Sequence, residues 1–169
     1  MKALNAMGAL AVLTGVALLP ILAQNGARSM SDSVRGHFVS VNRRVLEMAK
    51  DFPADKYNYS LKPEMRSFGA VIVHIASGNV YAAKAGRGEN VNWEELDPKN
   101  YKTKDEVVAL LEKSISDANA TLKTLPDASF ATSVEPWLSV MEHSAEHYGL
   151  LVAYYRANGL VPPASRPSN

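Results

Sequence analysis

Glu135-Pro136-Trp137-Leu138-Ser139-Val140-Met141-Glu142-His143-Ser144-Ala145-Glu146-His147-Tyr148-Gly149-Leu150-Leu151-Val152-Ala153-Tyr154-Tyr155-Arg156-Ala157-Asn158-Gly159 reads as one helix from end to end. Pro136 suits a first helical turn, where its missing N–H is not needed. Val140, Ser144, His147, Leu151 and Tyr154 recur at helical spacing and form a stripe that faces a core. Asn158-Gly159 is a stop signal, and Pro162-Pro163 prevents continuation. Within this helix His143 and His147 stand four residues apart, which places both imidazoles on one face, one turn from each other.

Three more helices precede it. From about Ser31 to Lys50, Phe38, Val41, Val45, Met48 and Phe52 make one apolar stripe, and Asp51-Phe52-Pro53 ends it. A polar connection, Ala54 to Pro63, follows. The second helix starts at Ser67, a good N-cap, and runs to about Ala85. Its stripe is Phe68, Ile72, Ile75, Asn79 and Ala82, with Val71, His74 and Gly78 beside it. Thr103-Lys104-Asp105-Glu106 is a capping box that opens the third helix, whose stripe is Val107, Leu111, Ile115, Ala118, Leu122 and Leu125. Pro126-Asp127 stops it. No strand-like alternation competes, and there is no internal repeat. The expected fold is an all-α four-helix bundle of up-down-down-up order. The long segment 86–102, which carries Trp93, serves as an overhand crossover loop or a lid.

Composition narrows the chemistry. The chain has 169 residues, 47% of them hydrophobic, enough for one core. It has no Cys, which excludes disulfides, thiolate metal sites and a cysteine nucleophile. Lys2 followed by the apolar run Ala9 to Leu22 reads as a secretory signal with cleavage near Ala23 or Ala27. The alternative is an uncleaved N-terminal anchor, the only route to a membrane; the run is shorter than the roughly 20 residues that span a bilayer comfortably. Residues 1–24 are therefore expected to be a signal peptide or anchor, 29–165 the bundle, and 166–169 a frayed tail. Without residues 1–23, which hold Lys2 and no acid, the formal charge falls from +1 to zero. A neutral, exported domain (periplasmic or extracellular) offers no electrostatic case for nucleic acid.

His74, His143 and His147 are the candidate site. Two neutral imidazoles one turn apart can share a divalent metal, and His74 from another helix can supply a third ligand, leaving one coordination position open for chemistry. The competing reading is three hydrogen-bonded core histidines. His37, the fourth histidine, lies off the first helix's stripe and reads as an edge residue. Glu142 and Glu146 do not form His-Glu-x-x-His with the pair, so a zinc-protease reading fails. They remain acceptors for an imidazole or plain solvated acids. Gly78, one turn after His74, either leaves room above a metal or lets two helices pack closely. No Gly-x-Ser-x-Gly elbow and no phosphate-binding Gly loop are present. Arg66 and Arg156 are possible anion anchors, with surface solvation the default.

Arg66-Ser67-Phe68-Gly69-Ala70-Val71-Ile72-Val73-His74-Ile75-Ala76 resembles the second-helix signature of the DinB-like (YfiT-like) superfamily. His143 to Pro163 resembles that family's last helix and exit, with its His spacing, Tyr-Gly, Arg-x-Asn-Gly and Pro-Pro in order. The resemblance covers about Ser31 to Ser165. It implies the overhand bundle and a divalent metal, commonly zinc or nickel, on His74, His143 and His147. It also implies a homodimer. Some members transfer a low-molecular-weight thiol to an electrophile or are related isomerases. For this chain the resemblance implies a metal-dependent enzyme, hydrolase or thiol-transferase-like, acting on an unidentified small molecule. The alternative is a non-catalytic bundle that holds a metal or a small molecule. Export sets the chain apart from the family's cytosolic thiol chemistry, because the periplasm is oxidising.

Overall fold

A computed structural model describes residues 28–167. The signal or anchor expected over 1–24 lies outside the described residues. Four long helices carry the fold: α1, Met30–Asp51; α2, Phe68–Gly86; α3, Lys104–Thr124; and, after the four-residue α4, Phe130–Ser133, the last helix α5, Glu135–Ala157. No strand occurs among the described residues, and no helix among them is long and apolar enough to cross a membrane.

The ends follow local chemistry. The Ser29 and Ser67 hydroxyls accept from the amides of Asp32 and Ala70 at the starts of α1 and α2. Thr103 and Glu106 form the reciprocal capping box at the start of α3. At the end of α5, Gly159 adopts a left-handed φ of +70°, and the amides of Gly159 and Leu160 return to the carbonyls of Arg156 and Tyr155. That is the Schellman closure Asn-Gly favours. Lys104 Nζ donates to the Lys50 and Phe52 carbonyls, covering the negative end of α1.

Side-chain contacts give the helix directions. Tyr155 donates to the Met48 carbonyl while Phe38 meets Trp137 edge-on, so α1 and α5 run parallel. Ser31 bonds Asp127 beyond the end of α3, and Lys104 at its start reaches the Lys50 carbonyl at the end of α1, so α1 and α3 run antiparallel. Asn79 reaches Ser114, and Arg87 reaches Thr121 seven residues later, so α2 and α3 run parallel. Tyr154 bonds the Arg66 carbonyl and Trp137 lies against Gly86, so α2 and α5 run antiparallel. Two consecutive parallel helices require the chain to return along the bundle between them, and residues 87–103 make that return.

The stripes read from sequence are buried, apart from Ile115, Leu125 and His147, which are partly buried, and the core is divided. One apolar cluster, including Phe52 stacked on Phe68 at 3.8 Å and packed with Tyr154 and Tyr155, fills the end where α2 and α3 begin. A second, built around Phe38, Leu122, Trp137 and Val140, fills the other. Between them lies a polar layer. Asn42 Nδ2 donates to the Phe38 carbonyl, and Asn79 Nδ2 donates to Asn42 Oδ1 (3.0 Å) and to Ser114 Oγ (3.3 Å). It ties α1, α2 and α3 at mid-height.

Three features depart from the sequence reading. The connection after α1 is not merely polar, because Tyr57 is buried in the first cluster with its hydroxyl donating to the Ala49 carbonyl. The short α4, whose Phe130 is buried, was not anticipated. The end of the chain is not frayed at Arg166, whose guanidinium grips both oxygens of Asp51 at 2.8 and 2.5 Å. This pair, with a hydrogen bond from Tyr155, holds the Asp51 carboxyl below its ordinary pKa.

Candidate metal centre

The α2–α5 seam, level with the polar layer, brings the three histidines together. One ligand atom from each of His74, His143 and His147 lies within 4.8 Å of the others. Ring centroids are 4.4 Å apart for His143 and His147, 4.6 Å for His74 and His143, and 4.8 Å for His74 and His147. Each ring is partly buried. The i, i+4 spacing on α5 aligns the pair, and the antiparallel α2 delivers His74 opposite them.

A fourth participant arrives from the crossover. Both oxygens of Glu95 lie 2.7–2.8 Å from His74 Nδ1. A carboxylate only accepts, so Nδ1 carries the proton and Nε2 presents its lone pair towards the cluster. That nitrogen is 2.9 Å from His143 Nε2. A tetrahedral ion with nitrogens at about 2.0–2.1 Å holds them roughly 3.3 Å apart, so an adjustment of about half an ångström converts the pair to co-ligands.

The donor set fits a divalent ion. Burial, then the neighbouring His147 and His74, depresses the His143 pKa to about 3. Burial likewise lowers His147, with His74 and Arg66 adding to it. Both rings are thus neutral at neutral pH, the form that ligates. His143 Nδ1 is buried without a partner, and Nε2, the ring's other nitrogen, is the one that faces His74 and the cluster.

Trp93 closes one side. Its ring meets His143 edge-on at 4.7 Å and lies 5.5 Å from the Tyr81 ring. It sits where Gly78 has no side chain: a Cβ there would come within 2.4 Å of Trp93 Cη2. Gly78 therefore seats the indole, and it also lets α2 lie close to the His143 ring of α5, whose Nδ1 would be 3.3 Å from the same Cβ. Segment 86–102 is both crossover and cover.

Glu142 and Glu146 are exposed, and the acceptor that orients a histidine is Glu95, which sequence reasoning missed. The available signal was a Trp and two Glu (94 and 95) in a long loop that must run back beside α2. His37 is exposed and takes no part in the cluster, and Arg156 is exposed. Arg66 stands at the rim, 3.4 Å from Glu95.

No curated protein matches this chain. The family model described as the DinB superfamily matches residues 37–154, a span that includes the three histidines, Trp93 and Glu95.

Proposed function

The chain belongs to the DinB superfamily, and on that premise we propose that it binds a divalent metal, zinc or nickel, through His74, His143 and His147 and works as a metal-dependent enzyme on a small molecule. The observation that carries the reading is the convergence of three ligand atoms within 4.8 Å, with His74 oriented from behind by Glu95. A bound divalent ion supplies a Lewis acid that lowers the pKa of a water or thiol in contact with it.

The protein's own residues prepare the rest. Glu95 holds His74 in one tautomer and one orientation, a support of the kind that tunes ligand basicity. The depressed pKa values of His143 and His147 keep both rings unprotonated. Trp93 shields His143 from water on the crossover side. Three protein ligands are the number found in catalytic zinc sites, whereas structural sites close with four. His37, the one other histidine, is exposed and cannot complete a closed histidine set here. Hydrolysis and thiol transfer both suit such a centre. Export by the N-terminal segment and a homodimeric state belong to the same proposal.

Elemental analysis of the purified mature domain and of His147→Ala tests the reading. About one ion per wild-type chain, lost in the variant, is expected. Metal retained by His147→Ala with unchanged affinity would overturn the site.

A further inference from the structure

A cleft of about 200 Å³ opens beside the histidines, with Arg66, His147 and Tyr154 in its lining and Met65, Val71 and Leu150 as apolar wall. His147 belongs both to this cleft and to the cluster, so a molecule in the cleft lies against one of the three histidines. The backbone at Arg66 is fixed, because the buried Tyr154 donates its hydroxyl to the Arg66 carbonyl. The guanidinium is not used up. Its one acidic partner among the described residues is Glu95 at 3.4 Å, and Glu95 makes its closer bonds, 2.7–2.8 Å, to His74. A guanidinium has five N–H donors in a planar fork that matches a carboxylate.

We infer that Arg66 and this cleft form the substrate-orienting subsite of the centre, and that the ligand is a small organic monocarboxylate. Its carboxylate pairs with Arg66, its apolar body lies against Met65, Val71 and Leu150, and its reactive end reaches His147. Among the described residues, Glu64 lines the same cleft and Glu95 stands behind Arg66, so the surroundings are net negative and oppose a phosphate dianion more than a monoanion; the fork of Arg66, not net charge, is what pairs with the carboxylate. The volume lies below the roughly 300–1,000 Å³ of drug-sized pockets, which limits the ligand to a short chain. The inference rests on the reading of the histidines as the working centre.

Hexanoate and its neutral counterpart hexanamide are the probes. They are titrated into metal-free and zinc-loaded protein while the His147 and Leu150 side-chain NMR signals are followed, in wild type and Arg66→Gln, with Arg156→Gln as control. Saturable shifts are expected with hexanoate in both wild-type forms and in Arg156→Gln, weakened about tenfold or more in Arg66→Gln. Hexanamide is expected to bind at least as weakly as hexanoate binds the Arg66 variant. Equal binding by wild type and Arg66→Gln, equal binding of the two probes, or no saturable shift in either form overturns the subsite. Hexanoate binding that appears only with zinc and ignores Arg66 also overturns it, because the carboxylate is then on the ion. Failure to load zinc, with Arg66-dependent binding intact in the metal-free protein, instead sinks the metal reading and leaves the subsite standing.

Discussion

Gly78→Ala adds one methyl group where α2 meets the crossover. The new Cβ would lie 2.4 Å from Trp93 Cη2 and 2.9 Å from Cζ2, whereas carbon atoms rest about 3.5–4.0 Å apart. The indole must therefore retreat by more than about 1 Å. In a helix interior the same substitution favours folding by about 0.8–1.0 kcal/mol, and overpacking opposes it by about 1–3 kcal/mol. Trp93 is on a partly exposed loop and can yield, so the lower end of that cost applies and the net change stays within about 1 kcal/mol of zero. Yielding breaks the 4.7 Å edge contact with His143 and admits water beside that ring. Gly149→Ala is the reference, because nothing lies within 4 Å of its added Cβ, and it should gain the full ~0.8–1.0 kcal/mol. Tryptophan emission and urea unfolding of the two variants check this. A red shift confined to Gly78→Ala is expected, since the fully buried Trp137 contributes a constant background. If Gly78→Ala is stabilised as much as Gly149→Ala with unshifted emission, Trp93 is not seated on Gly78.

Glu95→Gln, which keeps the shape but weakens the acceptor behind His74, should lower zinc affinity about 10–100-fold by competition titration; unchanged affinity would show that the crossover does not support the centre. The metal-free protein should weaken in mild acid. The folded pKa of His143, about 3, lies below the unfolded value of roughly 6.5, so the unfolded chain takes up the proton first. Stability is then lost as pH falls through 6.5, by about 2 kcal/mol at pH 5 for His143, with a further loss from His147, whose pKa is also lowered. A urea midpoint that stays flat between pH 8 and 5 refutes this. Gly86→Ala presents the harder collision, since its Cβ would lie 2.4 Å from Trp137 Cζ2 and 3.2 Å from Thr121 Cγ2, and this indole has nowhere to go. It should destabilise by about 1–3 kcal/mol, read from the thermal midpoint.

The helices were legible because each carries its own start signal, stripe and stop. Thr103 and Glu106 mark the capping box, and Phe38, Val45 and Met48 sit where period 3.6 puts them. The three histidines were legible for the same reason, with two on one helix face and the third at the edge of another stripe. What stayed hidden depends on contacts between distant segments. Glu95 is one of several acids in a polar loop until that loop is laid along α2, and Gly78 gains its meaning from Trp93 and His143. Tyr57 and Arg166 likewise read as surface residues until the Ala49 carbonyl and Asp51 are seen beside them.

The Asn42–Asn79–Ser114 layer bears on how such a chain can change over time. A slip of α2 by one turn against its neighbours would carry His74 about 5.4 Å from the pair on α5. Apolar stripes resist such slips weakly, because one methyl group packs much like another. Directed amide and hydroxyl bonds at 3.0 and 3.3 Å are satisfied in a single register. With that vernier at mid-height, and with Tyr154 and Tyr155 bonding α5 to the Arg66 and Met48 carbonyls, Leu, Ile and Val in both clusters are free to drift through substitution while the three imidazoles keep their distances.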